Sequence, residues 1–153
     1  MSSDMSLLCD ALHDNIEKIT LAWVERVKHD PYLRANEHLT LTQIVDHVPQ
    51  MLEELCGLLK QDQEPNFQTI RASSQHGYIR SAQGYTLTEL LRELELLRDC
   101  VFNFVAEAEE TEDVARDEMV RALRTANRYF GEDVIFVVEH FLARNPTVEN
   151  RIK

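Results

Sequence analysis

At 153 residues the chain is predicted to form one domain, 1–153, with a core over about 7–144. The low content of Gly and Pro, 4 of each, disfavours a turn-rich β fold. Sixteen Lys and Arg against 27 Asp and Glu give a net charge of −11, which disfavours nucleic acid and anionic membranes as partners. No apolar run reaches the length of a membrane span and no basic, apolar leader precedes the domain, so we expect a cytoplasmic protein.

The apolar residues follow a helical period through almost every segment, which predicts an all-α fold, a five-helix bundle. The first helix is predicted to run without interruption from Leu7 to just before Asp30. The second begins near Thr40, whose hydroxyl can cap the helix while the Gln43 side chain reaches back to the capping residue. Pro49 lies inside the apolar stripe of this helix, so a kink or a break is expected there.

The third helix is predicted from Phe67 to Gln83, and the fourth opens at a second capping box formed by Thr86 and Glu89. A leucine-rich core face follows. The acidic stretch over 107–113 has no evident apolar anchor and is predicted to be a connection.

The last helix is predicted to be long, from near Val114 to Arg144, and it carries a second apolar stripe beside its core face. Such a helix is either central to the core or buried against a partner, and we favour a homodimer contact. The residues predicted to form this interface are Val134, Ile135, Val138 and Leu142.

Motifs that would carry catalysis or metal binding are absent from the sequence. Ser73 and Ser74 lie near His76, but their helical spacing provides no activated nucleophile and no oxyanion hole. The six histidines form no HxxxH or Glu-x-x-His pair, and the cysteines (Cys9, Cys56 and Cys100) have no ligand spacing and are expected to be buried. We therefore predict no catalytic residue, no metal and no cofactor. The alternative is a haem- or small-molecule-binding globin-like domain with a pocket near His76.

A polar face is predicted on the third helix, where His76, Arg80 and Gln83 are spaced by four and three residues. If the third and fourth helices run antiparallel, Arg80 meets Glu89 or Glu93, and His76 approaches Glu93. Glycine at position 77 permits close approach of another helix or leaves room for a small ligand. An interhelical lock and a ligand site both fit this pattern.

The segment HGYIRSAQGYTLTELLRELELLR resembles the central motif of the RsbRD N-terminal domain family. An upstream block that includes Trp23, Asp46, Val48 and Pro49 is similar to that family too, and the resemblance covers roughly residues 7–144. The family pattern falls on His76, Gly77, Arg80, Gln83, Gly84, Tyr85, Glu93, Leu97 and Arg98.

The resemblance implies a sensory or regulatory input domain of a bacterial signalling protein. In such proteins this domain precedes a STAS domain of stressosome regulators or the histidine-kinase core of a two-component system, and the stressosome relatives are globin-like, hold no haem and dimerise. The expected partners are therefore a second copy and a downstream STAS or kinase module or partner protein. Whether the chain is a stand-alone module or an excised domain stays open. The candidate ligand-binding or structural polar cluster comprises His76, Gly77, Arg80, Gln83, Tyr85, Glu89, Glu93 and Arg98.

Overall fold

A computed structural model describes residues 3–61, 72–111 and 114–144 of the chain. These residues form seven α-helices and no β-strand, and none of these helices combines the length and apolar character needed to cross a membrane. The predicted all-α class and the long C-terminal helix are confirmed. The helices are α1 (Ser3–Asp14), α2 (Ile16–His29), α3 (Leu41–Val45), α4 (Val48–Leu59), α5 (Ala72–Ala82), α6 (Leu87–Thr111) and α7 (Arg116–Arg144).

Two interruptions turn the five predicted helices into seven. The uninterrupted first helix was wrong, because Asn15 separates α1 from α2 with φ −115° and ψ 15°. Its side-chain Nδ2 donates to the carbonyl of Ala11 at 2.7 Å, which competes with the backbone hydrogen bonds of a continuing helix. The second interruption separates α3 from α4, as Pro49 predicted. Pro49 occupies the first turn of α4, where a missing N–H leaves no helical hydrogen bond unmade.

Both predicted capping boxes are present. At the start of α3 the N–H of Gln43 donates to the Thr40 hydroxyl at 3.2 Å, and the N–H of Thr40 donates to Oε1 of Gln43 at 2.9 Å. At the start of α6 the N–H of Glu89 donates to the Thr86 hydroxyl at 3.1 Å, and the Glu89 carboxylate accepts the N–H of Thr86 at 3.2 Å. Local spacing therefore predicted these two helix starts correctly.

The predicted helix ends hold to different degrees. Helix α7 ends at Arg144 as predicted, and α5 ends at Ala82. The proposed connection over 107–113 was wrong up to Thr111, because α6 continues to that residue and the buried Ala108 anchors its last turns. The predicted start of the third helix, over 67–71, lies outside the described residues, as do 112 and 113.

Helix α5 occupies the position that organises the candidate site. One of its sides packs along α7, and it also contacts α4 and α6, while α2 packs on α6. The core is mainly Leu and Val, and Cys9, Cys56 and Cys100 are buried in it as free thiols, as predicted. Among the largest fully buried side chains are Trp23, Tyr129 and, unusually for a cation, Arg80.

Candidate functional site

Arg80 projects from α5 into a fully buried position between α6 and the end of α3. Its Nε donates to Oε1 of Glu93 at 2.8 Å, which confirms one of the two contacts predicted for this arginine. Its Nη1 donates to Oε1 of Gln83 and to the carbonyl of Gln43, both at 2.8 Å, and its Nη2 donates to the carbonyl of Ile44 at 2.5 Å. These two carbonyls belong to the last turn of α3, where a cation satisfies the unpaired acceptors and the helix dipole.

The Glu93 carboxylate, on α6, is fully buried and receives contacts from three side chains. Besides Arg80, the Tyr85 hydroxyl donates to Oε2 at 2.5 Å, and Nε2 of His76 lies 3.5 Å from Oε1. Burial raises the pKa of this carboxyl, but the contact with His76 and the charge of Arg80 outweigh burial and hold its pKa below the ordinary value. The buried carboxyl is therefore ionised at neutral pH.

His76 makes its shortest polar contact with Asp46, which the sequence analysis did not include in the cluster. Its Nδ1 lies 2.6 Å from Oδ2 of Asp46, and Nδ1 of His47 lies 2.8 Å from the other carboxylate oxygen. Burial raises the pKa of Asp46, and the hydrogen bond with His76 together with nearby positive charge lowers it below the usual range. The feature of the sequence that could have indicated Asp46 as a site residue was its position in the upstream block that resembles the family.

We name as the polar cluster the five residues Asp46, His76, Arg80, Tyr85 and Glu93. It joins the α3–α4 junction, α5, the loop before α6 and α6 itself. The Arg80 guanidinium also lies over the Tyr85 ring, 5.0 Å from its centroid. Two ionised carboxylates face one permanent cation, so the cluster is electrically balanced when His76 carries a proton. Trp23 ties α2 to the same point, since its Nε1 donates to the backbone carbonyl of Glu93 at 3.0 Å.

Gly77 contacts α7 directly. A Cβ atom at this position would lie 2.7 Å from the carbonyl oxygen of Val137 and 2.9 Å from its Cα. Both atoms belong to the backbone and cannot move aside as a side chain could. Of the two uses predicted for this glycine, the structure therefore gives close helix packing and leaves no space for a ligand at the glycine itself.

Glu89 and Arg98, both predicted members of the cluster, lie elsewhere. The Glu89 carboxylate accepts the backbone N–H groups of Arg34 at 3.2 Å and Ala35 at 3.0 Å, so of the two alternative partners predicted for Arg80 it is Glu93 that makes the contact. It holds the loop between α2 and α3 against the start of α6. Arg98 pairs with Glu95 on the surface of α6 at 2.7 Å.

The geometry around His76 gives no support to the haem alternative. The side chain is 1% exposed, and both ring nitrogens face carboxylate oxygens, so an iron ligand would have to give up one of these contacts. Within the described ranges, no group of three or more His, Cys, Asp and Glu side chains is arranged to hold a metal ion. The polar cluster is suited to cross-linking helices and to responding to a change of charge.

The four residues of α7 predicted to form a dimer contact lie at the surface of the chain. Val134 is 40% exposed and Ile135 is 52% exposed, while Val138 and Leu142 are partly exposed. Val137, between them in sequence, is fully buried against α5. The exposure of the four residues disfavours the alternative that this part of α7 is central to the core.

A family model described as the RsbT co-antagonist protein rsbRD N-terminal domain matches residues 17–145. The match includes the whole polar cluster and extends from the first turn of α2 to the end of α7. Comparisons with curated proteins and with solved structures gave no significant match.

Proposed function

The chain belongs to the RsbRD N-terminal domain family, and we propose that it is a non-catalytic sensory input domain that acts by dimerisation and by contact with a downstream signalling module in the cytoplasm. Membership of this family supports the interpretation of the chain as a stressosome-type regulatory N-terminal domain. The downstream module would be a STAS domain, a histidine-kinase core or a separate partner protein.

The observation that carries this proposal is the exposed apolar face of α7, which we call the α7 face and define as Val134, Ile135, Val138 and Leu142. Aliphatic side chains grouped on one helix face gain free energy when a partner covers them. The face lies on a helix of 29 residues, which spans about 43 Å at 1.5 Å per residue. Two such helices packed side by side could pass a rotation or a separation to a module beyond them.

The placement of the polar groups supports a binding role over a catalytic one. Four members of the polar cluster, His76, Arg80, Tyr85 and Glu93, are buried, and the Asp46 side chain is 7% exposed, so little of its charge faces solvent where a substrate would bind. The charge of the chain points the same way, since a net charge of −11 favours a protein partner over nucleic acid or an anionic lipid surface.

The proposal is tested by the oligomeric state of the full chain. Sedimentation velocity at increasing protein concentration should show a monomer–dimer equilibrium, and Ile135→Glu should shift it to monomer because a charge would be buried in the interface. Leu21→Glu is the matched control, because Leu21 is a similarly exposed aliphatic residue, at 44%, on α2. A wild-type chain that stays strictly monomeric at high micromolar concentration would contradict the dimer, as would equal loss of dimer in both variants.

A further inference from the structure

We propose that the polar cluster is a proton-controlled latch that holds α5 against α7, and that the charge of His76 sets its state. The inference rests on the proposed function only in the role of the α7 face as a contact surface. The latch itself is argued from three features: a strained turn at Asp46, a helix end held by Arg80, and a backbone contact between α5 and α7.

Asp46 is held in a conformation that L-amino acids rarely adopt. It has φ 46° and ψ −121°, and among the described residues it is the one non-glycine residue with a positive φ. A residue stays in such a conformation only when its surroundings enforce it. Its carboxylate contacts His76 and His47, and its backbone N–H donates to the Thr42 carbonyl at 3.0 Å. Loss of the contact with His76 would remove the shorter of the two carboxylate contacts and allow the turn to relax.

The end of α3 is also held by side chains of α5. Arg80 bonds the carbonyls of Gln43 and Ile44, immediately before the strained turn, and His76 lies one helical turn before Arg80 on α5. The polar groups of the α3–α4 junction are therefore held by two side chains on one face of α5. A change in the conformation of the junction would therefore act on α5 as a whole.

Helix α5 transmits its position to α7 without an intervening side chain. Gly77, next to His76, packs directly on the backbone of Val137. Val134 and Val138 of the α7 face lie one turn before and one residue after this contact. Because closely packed backbones move together, a displacement of α5 at His76 shifts α7 at the α7 face.

The trigger is the balance of charge around His76. Its ring contacts Asp46 from the α3–α4 junction and Glu93 from α6. The charged or titratable groups next to these two carboxylates are Arg80 and Tyr85, which both contact Glu93, and His47, which contacts Asp46. On α7, Asp133 lies one turn before Val137 and acts on Tyr129. Without the proton on His76, two carboxylates share one cation in a largely buried site, which favours withdrawal of Asp46 toward solvent and relaxation of its turn.

The test is hydrogen exchange of the full chain from mildly acidic to alkaline pH, corrected for the intrinsic exchange rates. In the wild type, protection over α5 and over 134–142 should fall by roughly tenfold or more as His76 loses its proton, which is within the range of local opening equilibria. His76→Gln should give low protection at every pH. His140→Gln, at an exposed histidine of α7, is the matched control and should keep the wild-type profile.

Three results would overturn the latch: unchanged protection in the wild type across this range, a wild-type pH profile in His76→Gln, or an exchange midpoint that differs from the titration of the His76 ring followed by imidazole NMR. The NMR titration uses the wild type and therefore holds if His76→Gln fails to fold. Asp46→Asn is a second variant, and it should weaken the pH dependence because it removes one of the two carboxylates. Sedimentation of the same samples separates the proposals, since a monomer with the expected pH profile would keep the latch and remove the dimer.

Discussion

The Nε atom of Arg80 lies 2.8 Å from Oε1 of Glu93, and both side chains are fully buried. The pair joins two consecutive helices across a turn. Replacing either partner alone leaves the other charge buried without its counterpart, and such a loss is costly even though an intact buried pair adds little net stability. Arg98 and Glu95, on α6, form an ion pair at a similar distance, 2.7 Å, but their side chains are 38% and 54% exposed.

A double-mutant cycle separates these two pairs. We expect Arg80→Gln and Glu93→Gln each to lower the free energy of unfolding by about 3–5 kcal/mol, with strong coupling between them. The same replacements at Arg98 and Glu95 should change it by less than about 1 kcal/mol. Urea unfolding at neutral pH measures all of these values. A coupling energy at the buried pair no larger than at the exposed pair would show that Arg80 and Glu93 do not stabilise each other.

Gly77→Ala should destabilise the protein although alanine favours helices. The added Cβ would stand 2.7 Å from the carbonyl oxygen of Val137, so α5 and α7 must separate, and overpacking of this kind costs about 1–3 kcal/mol. Gly57→Ala in α4 is the matched control, because a Cβ there meets nothing within 4 Å. The control should gain up to about 1 kcal/mol from helix propensity alone. Thermal unfolding that moves in the same direction for both variants would contradict close packing at Gly77.

The two carboxylates of the polar cluster predict the response of stability to acid. The pKa values of Asp46 and Glu93 are lowered in the folded state, so the unfolded chain binds these protons more tightly. Their contribution is complete above the unfolded pKa values, near 4, and is lost as pH falls through the lower folded values. Urea unfolding should show a free energy of unfolding that decreases as pH falls through this range, and the slope of this free energy against pH should be shallower in Glu93→Gln. Parallel slopes would contradict the assignment of Glu93.

Tyr85 predicts a loss of stability at the alkaline end. Burial and the charge of Glu93 raise the pKa of its hydroxyl well above the usual value. The folded state therefore keeps this proton more tightly than the unfolded chain does, and stability falls as pH rises above about 10, the unfolded value. Tyr85→Phe should remove this part of the alkaline loss in urea unfolding, while Tyr32→Phe, at an exposed tyrosine, should retain it. Identical alkaline profiles for the two variants would contradict the role of Tyr85.

Features set by local spacing could be predicted from the sequence. The capping boxes at Thr40 and Thr86 depend on residues three positions apart, and the shared face of His76, Arg80 and Gln83 follows from the helical period. The contact between Arg80 and Glu93 followed from folding two helices back across a short turn. Each of these inferences needed only one helix or one turn.

The remaining features depend on how distant segments dock. Asp46 reaches His76 across thirty residues because the α3–α4 break turns its carboxylate inward, and spacing alone carries no sign of that direction. Asn15 interrupts a stripe whose apolar period continues on both sides, since its side chain competes locally for a carbonyl. Arg80 had two predicted alternative partners, Glu89 and Glu93, and Glu89 instead accepts N–H groups of the loop between α2 and α3.

Loss of Glu89 should therefore act on the loop between α2 and α3 and on the first turn of α6. Its carboxylate accepts the N–H groups of Arg34 and Ala35, and although burial raises its pKa, these backbone hydrogen bonds and that from Thr86 lower it below the usual value. Glu89→Ala removes the acceptor and the capping box together, at an expected cost of about 1–3 kcal/mol. Glu95→Ala, which loses only its surface pair with Arg98, is the control.

Hydrogen exchange resolves where the cost of Glu89→Ala falls. The amides of Arg34 and Ala35 should exchange faster in this variant and keep their wild-type rates in Glu95→Ala, because only the first change removes their acceptor. Helix α5 should keep its protection in both variants, since Arg80 donates its hydrogen bonds to Glu93, Gln83 and the end of α3. If protection over α5 instead fell as much as that of the loop, Glu89 would be supporting the polar cluster, and its separate placement at the loop would be wrong.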